Sequence, residues 1–172
     1  MRKIILNVAV SLDGFIEDPN GEYDWCFADQ DYGMDAFMKN TDAIFFGRKS
    51  YELVVKTDAD YFGNMKQYIF SNSLTNIADK NAMIINGDIA AAVRNIKTEA
   101  GKNIWLFGGA SLVSSFMQHN LVDELMLSIH PILLGSGKPL FEGLKERITL
   151  RLTDAKTYNT GLVQMYYDVG PT

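Results

Sequence analysis

The sequence predicts a mixed α/β domain of about eight strands and four helices, parallel in its first two-thirds and antiparallel in its last third. Three observations carry this expectation. Apolar runs alternate with helix-period segments up to about Asn120, the arrangement that makes parallel pairing. Beyond Asn120 the chain reads as three successive strands, the last two with alternating side chains. Finally, 172 residues with 47% hydrophobic and 22% charged content suit one buried core, so a single domain over 1–172 is expected.

The elements follow in order. Lys3 to Val10 is a continuous apolar run, the pattern of a strand covered on both faces. Ser11 to about Ala28 is a long loop rich in Asp, Gly and Asn with a Pro19-Asn20-Gly21 turn, and long loops in compact domains usually serve function. Asp31 to Asn40 suits a helix with Met34, Phe37 and Met38 on one face. Ala43 to Phe46 is a strand running into Gly47-Arg48-Lys49-Ser50 and a helix through Tyr51, Val54 and Val55. Tyr68 to Phe70 and Met83 to Ile85 are the next strands. Asp88 is an N-cap for a helix ending at Gly101. Ile104 to Phe107 is a strand, Gly108-Gly109 a turn, and the following helix buries Leu112, Val113, Phe116 and Met117. Asp123 to Leu133, Ile148 to Lys156 and Leu162 to Asp168 complete the strands.

Composition narrows the function. Sixteen basic against 21 acidic residues leave a net charge of −5 and no basic block, which argues against nucleic acid as a partner. The single Cys26 excludes a disulfide framework within the chain and fits a reducing, cytoplasmic setting. Two histidines, His119 and His130, leave little room for a metal centre, and both read as structural. The apolar run after Arg2-Lys3 is short, is broken by Asn7 and precedes Ser11-Leu12-Asp13-Gly14, so it reads as a strand instead of a signal peptide. Ile104 to Val122 is too interrupted by polar residues for a membrane span. The expected protein is soluble.

Nucleophilic chemistry finds no support. No Gly-x-Ser-x-Gly turn occurs, and Gly135-Ser136-Gly137-Lys138 lacks the spacing and the hydroxyl of a phosphate loop. The stronger signal is two strand-to-helix turns, Gly47-Arg48-Lys49-Ser50 and Gly108-Gly109-Ala110-Ser111. Glycine there admits a ligand to the backbone, and the helix start attracts anions. Two such turns on one sheet suit a dinucleotide's pyrophosphate, while Ser71, Asn72 and Ser73 offer donors to a further phosphate. A Rossmann glycine fingerprint is absent after the first strand.

Four motifs recur here in one order: Ser-Leu-Asp-Gly-Phe-Ile from Ser11, Phe-Gly-Arg-Lys-Ser-Tyr-Glu from Phe46, Leu-Phe-Gly-Gly-Ala-Ser-Leu from Leu106, and Asp-Glu-Leu…His-Pro-Ile-Leu-Leu-Gly-Ser-Gly-Lys-Pro-Leu-Phe from Asp123. Together they resemble the dihydrofolate-reductase-like superfamily, and within it the C-terminal reductase domain of the bifunctional riboflavin-biosynthesis deaminase-reductase. The resemblance covers nearly the whole chain. It implies a central eight-stranded mixed sheet flanked by helices, NADPH as hydride donor, and reduction of a pterin- or aminopyrimidine-like molecule, including the 5-amino-6-(5-phosphoribosylamino)uracil step.

By the same resemblance, Gly47, Arg48, Lys49 and Ser50 hold cofactor phosphates, and Ser71, Asn72 and Ser73 the adenosine phosphate. Phe107, Gly108, Gly109, Ala110, Ser111 and Leu112 lie under the pyrophosphate and nicotinamide, with Val8, Ala9 and Ile16 against the ring. The loop from Asp13 to Trp25 matches a mobile lid. Trp25 matches a substrate contact, and the acid expected beyond it falls at Gln30, leaving Asp31 for substrate orientation and proton relay with Asp35 as rival. The alternative reading makes both surface carboxylates at a helix start. Lys138 is a candidate anchor for a substrate phosphate. A deaminase zinc signature does not fit one cysteine. The resemblance also implies a homodimer through the C-terminal strands, for which Leu125, Leu127, Ile129, Leu150, Leu152, Tyr166 and Tyr167 supply apolar surface. The rival expectation is a non-catalytic NADP(H)- or ligand-binding homodimer that kept the fold.

Overall fold

A computed structural model describes residues 1–57 and 62–170. Its elements are β1 Ile4–Ser11, β2 Phe15–Glu17, α1 Met34–Lys39, β3 Thr41–Gly47, α2 Arg48–Thr57, β4 Lys66–Phe70, β5 Ala82–Ile85, α3 Ile89–Thr98, β6 Asn103–Gly108, α4 Ala110–Gln118, β7 Glu124–His130, β8 Lys138–Pro139, β9 Leu150–Thr157 and β10 Val163–Val169. Eight strands form one sheet in the order β5-β4-β3-β6-β1-β7-β10-β9, and β2 with β8 forms a separate ribbon. The pairs from β5 to β7 are parallel, and those joining β10 to β7 and β9 are antiparallel.

Alternation along the strands builds two cores. Ile4, Leu6, Ala43, Phe45, Ile104 and Leu106 face α3 and α4, packing on Val93, Ile96, Leu112, Val113 and Phe116. Their neighbours Ile5, Ile44, Phe46 and Trp105 face the other way, onto Phe37 of α1 and Tyr51 of α2. A period of two thus sends successive apolar residues to opposite helix layers, which is why these strands are apolar throughout. On the first face Phe45 meets Tyr68, Phe70 and Phe116 edge-on, the preferred aromatic geometry.

Several boundaries differ from expectation. Helix α1 starts at Met34 instead of Asp31, because Tyr32 and Gly33 both take left-handed conformations. Helix α3 ends at an extended Glu99, short of Gly101. Gly101 answers a different need: a Cβ there would stand 2.8 Å from the Asp42 carboxylate and 2.9 Å from the Arg2 guanidinium, the two halves of a half-buried ion pair. Strand β9 begins two residues later than the pattern suggested.

The long loop after β1 contains β2, paired with β8 through Phe15–Pro139 and Glu17–Lys138. Gly137 makes this possible, since a Cβ at its positive φ would lie 2.2 Å from the Glu17 carbonyl oxygen. Asp13 reinforces the join by accepting the Ser11 hydroxyl and the backbone N–H groups of Leu134 and Gly135. Those donors, the Ser11 hydroxyl foremost, hold its carboxyl below the usual carboxylate range. The first part of the expected lid is therefore tied to the 131–140 segment.

The C-terminal strands also redistribute the apolar surface expected for pairing. Leu125 and Leu127 are buried within the chain's own core, in the cluster shared with α3 and α4. Leu150 and Leu152 of the edge strand β9 are exposed, and Tyr166 and Tyr167 are half-buried.

Candidate functional site

A cleft of about 1240 Å³ opens along the carboxyl ends of β4, β3, β6, β1 and β7. Its first end is built by the two glycine turns. A Cβ on Gly47 would lie 3.4 Å from the Gly108 carbonyl oxygen and 3.5 Å from Gly109 N, so the turns touch. Helices α2 and α4 consequently aim their N-terminal ends at one place, and α4 has no side-chain cap on its first turn. The Gly108–Gly109 peptide is cis. Gly47, Arg48, Lys49, Ser50, Gly109, Ala110, Ser111 and Leu112 line the cleft there, and Ser71, Asn72 and Ser73 extend it beyond β4. Gly108 forms the turn without lining it.

The charges at this end are partly committed. Arg48 donates to both oxygens of Glu52 at 2.9 and 3.1 Å, one helical turn on. Among the described residues Lys49 makes no ion pair and is exposed. Free backbone donors, hydroxyls, one uncommitted cation and glycine-lined backbone suit a pyrophosphate. The residues present fit a phosphorylated dinucleotide.

The other end lies between α1, α2 and the sheet. Val8, Ala9 and Ile16 line its floor with Asn7, Trp105, Phe107 and Ser128; Met34, Leu53, Val54 and Thr57 form its helical walls. Asp31 and Asp35 sit on the rim and both are exposed. Asp31 accepts the backbone N–H groups of Gly33 and Asp35, each at 2.8 Å. The carboxylate thereby braces the start of α1. Trp25 does not line the cleft and packs on the His130 ring, whereas Phe27 does line it. Lys138 lines the cleft near β2, but its ammonium is 2.9 Å from Glu142, so it is not a free phosphate anchor.

Two residues that sequence reasoning left as structural or unassigned shape this end. His130 is 2% exposed yet lines the cleft; its Nε2 receives the Phe27 N–H at 3.0 Å. Burial pushes its imidazole below the ordinary value. Gln164, 1% exposed, donates to the Tyr32 carbonyl and the Ser128 hydroxyl, both at 3.1 Å, and accepts the Tyr166 hydroxyl at 2.5 Å and the Tyr158 hydroxyl at 3.3 Å. A polar residue interrupting an apolar strand was the available signal for each, as it was for Asn7, whose side-chain amide donates to the Met34 sulfur at 3.4 Å. Cys26 is half-buried, and burial, with Asp24 nearby, pushes its thiol up to about 11. That makes it an unreactive thiol near neutrality.

Residues 2–164 match the RibD C-terminal domain. The chain belongs to the RibD C-terminal domain family. Two uncharacterized proteins of Bacillus subtilis (strain 168) are related over nearly their whole length: YyaP, 45% identical over 96% of this chain and 94% of its own, and YwjB, 36% identical over 96% and 97%. Among solved structures, a protein of Shewanella sp. PV-4 ascribed to riboflavin biosynthesis superposes with a TM-score of 0.87 at 25% identity, covering 98% of this chain and 99% of that one. The deaminase/5-amino-6-(5-phosphoribosylamino)uracil reductase of Thermotoga maritima gives a TM-score of 0.71 at 15% identity, covering 98% of this chain and 56% of that longer one. Schistosoma mansoni dihydrofolate reductase gives 0.65 at 16% identity, covering 98% of both. This RibD C-terminal domain therefore has the dihydrofolate-reductase-like fold, and its cleft lies where the sheet, both glycine turns and the loop after β1 converge. No helix among the described residues is long and apolar enough to cross a membrane.

Proposed function

We propose that the protein is an NADPH-dependent reductase of a small pterin- or aminopyrimidine-like heterocycle. One observation carries the reading: two glycine turns in mutual contact, with their helix starts and the Ser71–Ser73 donors, open into the same cleft as an aromatic and carboxylate-rimmed end. The family and the reductases sharing its fold support it. NADPH supplies the hydride when bound; the protein's part is orientation and electrostatics. Gly47 to Ser50 and Gly109 to Ser111 would hold the pyrophosphate, and Ser71 to Ser73 with Arg48 and Lys49 the additional phosphate. Val8, Ala9 and Ile16 offer an apolar wall to the nicotinamide. Phe27 and Phe107 bound the substrate end with aromatic faces, and Asp31 offers its remaining lone pairs to ring N–H groups. Fluorescence titration with NADPH tests the first half of the reading. NADPH oxidation across dihydropterins and ribosylaminopyrimidines tests the second. Tight binding with no oxidation on any of them favours the non-catalytic binder, and absence of binding removes both.

Arg48→Ala should weaken NADPH about tenfold, the effect of one charge-assisted bond of about 1.5–3 kcal/mol, and NADH less. Equal losses for both cofactors assign Arg48 to the shared pyrophosphate. A homodimer through β9 and β10 is the proposed assembly, resting on exposed Leu150 and Leu152 at the sheet edge. Sedimentation at micromolar concentration should give twice 19.3 kDa; a monomer there rejects it.

A further inference from the structure

We propose that His130 is a positioning residue: its unprotonated Nε2 latches the segment around Trp25, Cys26 and Phe27 to the sheet and so sets the shape of the cleft's substrate end. The tautomer follows from the partners. Nδ1 lies 3.0 Å from the Ser128 carbonyl oxygen, which can only accept, so Nδ1 carries the proton. Nε2 receives the Phe27 N–H at 3.0 Å and must therefore be bare. Two rings complete the grip: Trp25 meets the imidazole edge-on at 5.3 Å between centroids, and Phe27 lies tilted at 5.0 Å. The contact joins residues over a hundred positions apart, from the end of β7 to a stretch with no helix or strand of its own.

The second tether of the loop, the β2–β8 ribbon, holds its first part. His130 holds the part that follows, and Phe27 and Tyr23 beside it line the cleft. Without the latch, the wall formed by Phe27 loses its only backbone anchor to β7 among the described contacts.

An acceptor-only contact fails when the imidazole is protonated, because Nε2–H then faces Phe27 N–H, donor against donor. The elements packed on the ring bring the Val10 and Ser128 carbonyls and the two aromatic rings. Their titratable groups are Asp24 and Cys26 on the loop, and no carboxylate bonds to His130 among the described residues. Burial lowers the latched imidazole below its ordinary value. The latch is thus fully present above the ordinary histidine range, near pH 6.5, and weakens as pH falls below it toward the lowered value.

Two measurements on the full chain test the proposal without any ligand. The Phe27 amide protection factor, corrected for its intrinsic exchange rate, should fall about tenfold between pH 7.5 and pH 5. Amides of Leu106, inside the sheet, should not change. At constant pH 7.5, alkylation of Cys26 by iodoacetamide should be about tenfold faster in His130→Phe, which keeps a ring but loses the acceptor. His130→Gln, whose side-chain carbonyl can replace Nε2, should stay within about twofold of the unaltered protein. A Phe27 protection factor flat with pH overturns the proposal, as does equal Cys26 exposure in the Gln and Phe variants.

Discussion

Gln164→Leu should destabilise the protein by about 3–4 kcal/mol, read as a shift of the urea midpoint at unchanged slope. Leucine fills the space but makes none of the four hydrogen bonds that converge on the amide. The Tyr158 and Tyr166 hydroxyls can turn toward water. The Tyr32 carbonyl and the Ser128 hydroxyl lose a buried donor outright, each at about 1–3 kcal/mol. The Tyr32 carbonyl leads into α1, so the same change should loosen Asp31 and Asp35 on the cleft rim. A loss under about 1 kcal/mol means the strand relaxes to let water in, and the network is then dispensable.

Asp31→Asn should lower turnover about 10²-fold on a confirmed substrate, the usual reach of a positioned acid or base, while NADPH affinity barely changes. The carboxylate uses one lone pair on each oxygen to brace Gly33 and Asp35, leaving two directed elsewhere. Asparagine turns one acceptor into a donor, which opposes the Gly33 N–H and removes an acceptor from the cleft side. The bracing loss alone is worth about 1 kcal/mol, as at other helix starts, and shows in thermal unfolding. The turnover loss must therefore exceed what the stability loss explains. Asp35→Asn is the control. If it abolishes turnover and Asp31→Asn does not, the roles exchange; if neither acts, the proton comes from water or another group.

The layered sheet was legible because its signal is local. Ile4-Ile5-Leu6 and Ala43-Ile44-Phe45-Phe46 leave no polar face, and such strands must be covered on both sides. Both glycine turns were legible for the same reason: each follows its strand directly. What escaped depended on partners far along the chain. Nothing near Phe15 or Pro139 announces that they pair, and the burial of Leu125 and Leu127 depends on helices contributed from elsewhere in the chain. The left-handed Tyr32, which moves the start of α1 by three residues, carries no glycine-like mark. Trp25 does not line the cleft, and its ring packs T-shaped on His130, distant in sequence. Two ion pairs were legible locally: Glu52 stands four residues after Arg48, and Glu142 four after Lys138, a spacing that puts opposite charges within reach on a helix or a tight turn.

The position of β1 in the sheet bears on how the chain comes to be folded. Made before either partner, it lies between β6 and β7, with Ile4 beside Ile104 and Ile5 beside Glu124. Its apolar residues gain a first neighbouring strand only with β6 and the second only with β7. The β3–β4–β5 unit, by contrast, is contiguous in the chain and can assemble early. Both pairings of β1 thus wait on strands made much later in the chain. Closing so long a loop is slow and leaves an adhesive segment exposed meanwhile. Nascent chains stopped before β7 would carry that segment unpaired on one edge, a form that chaperones bind and that aggregates when they do not.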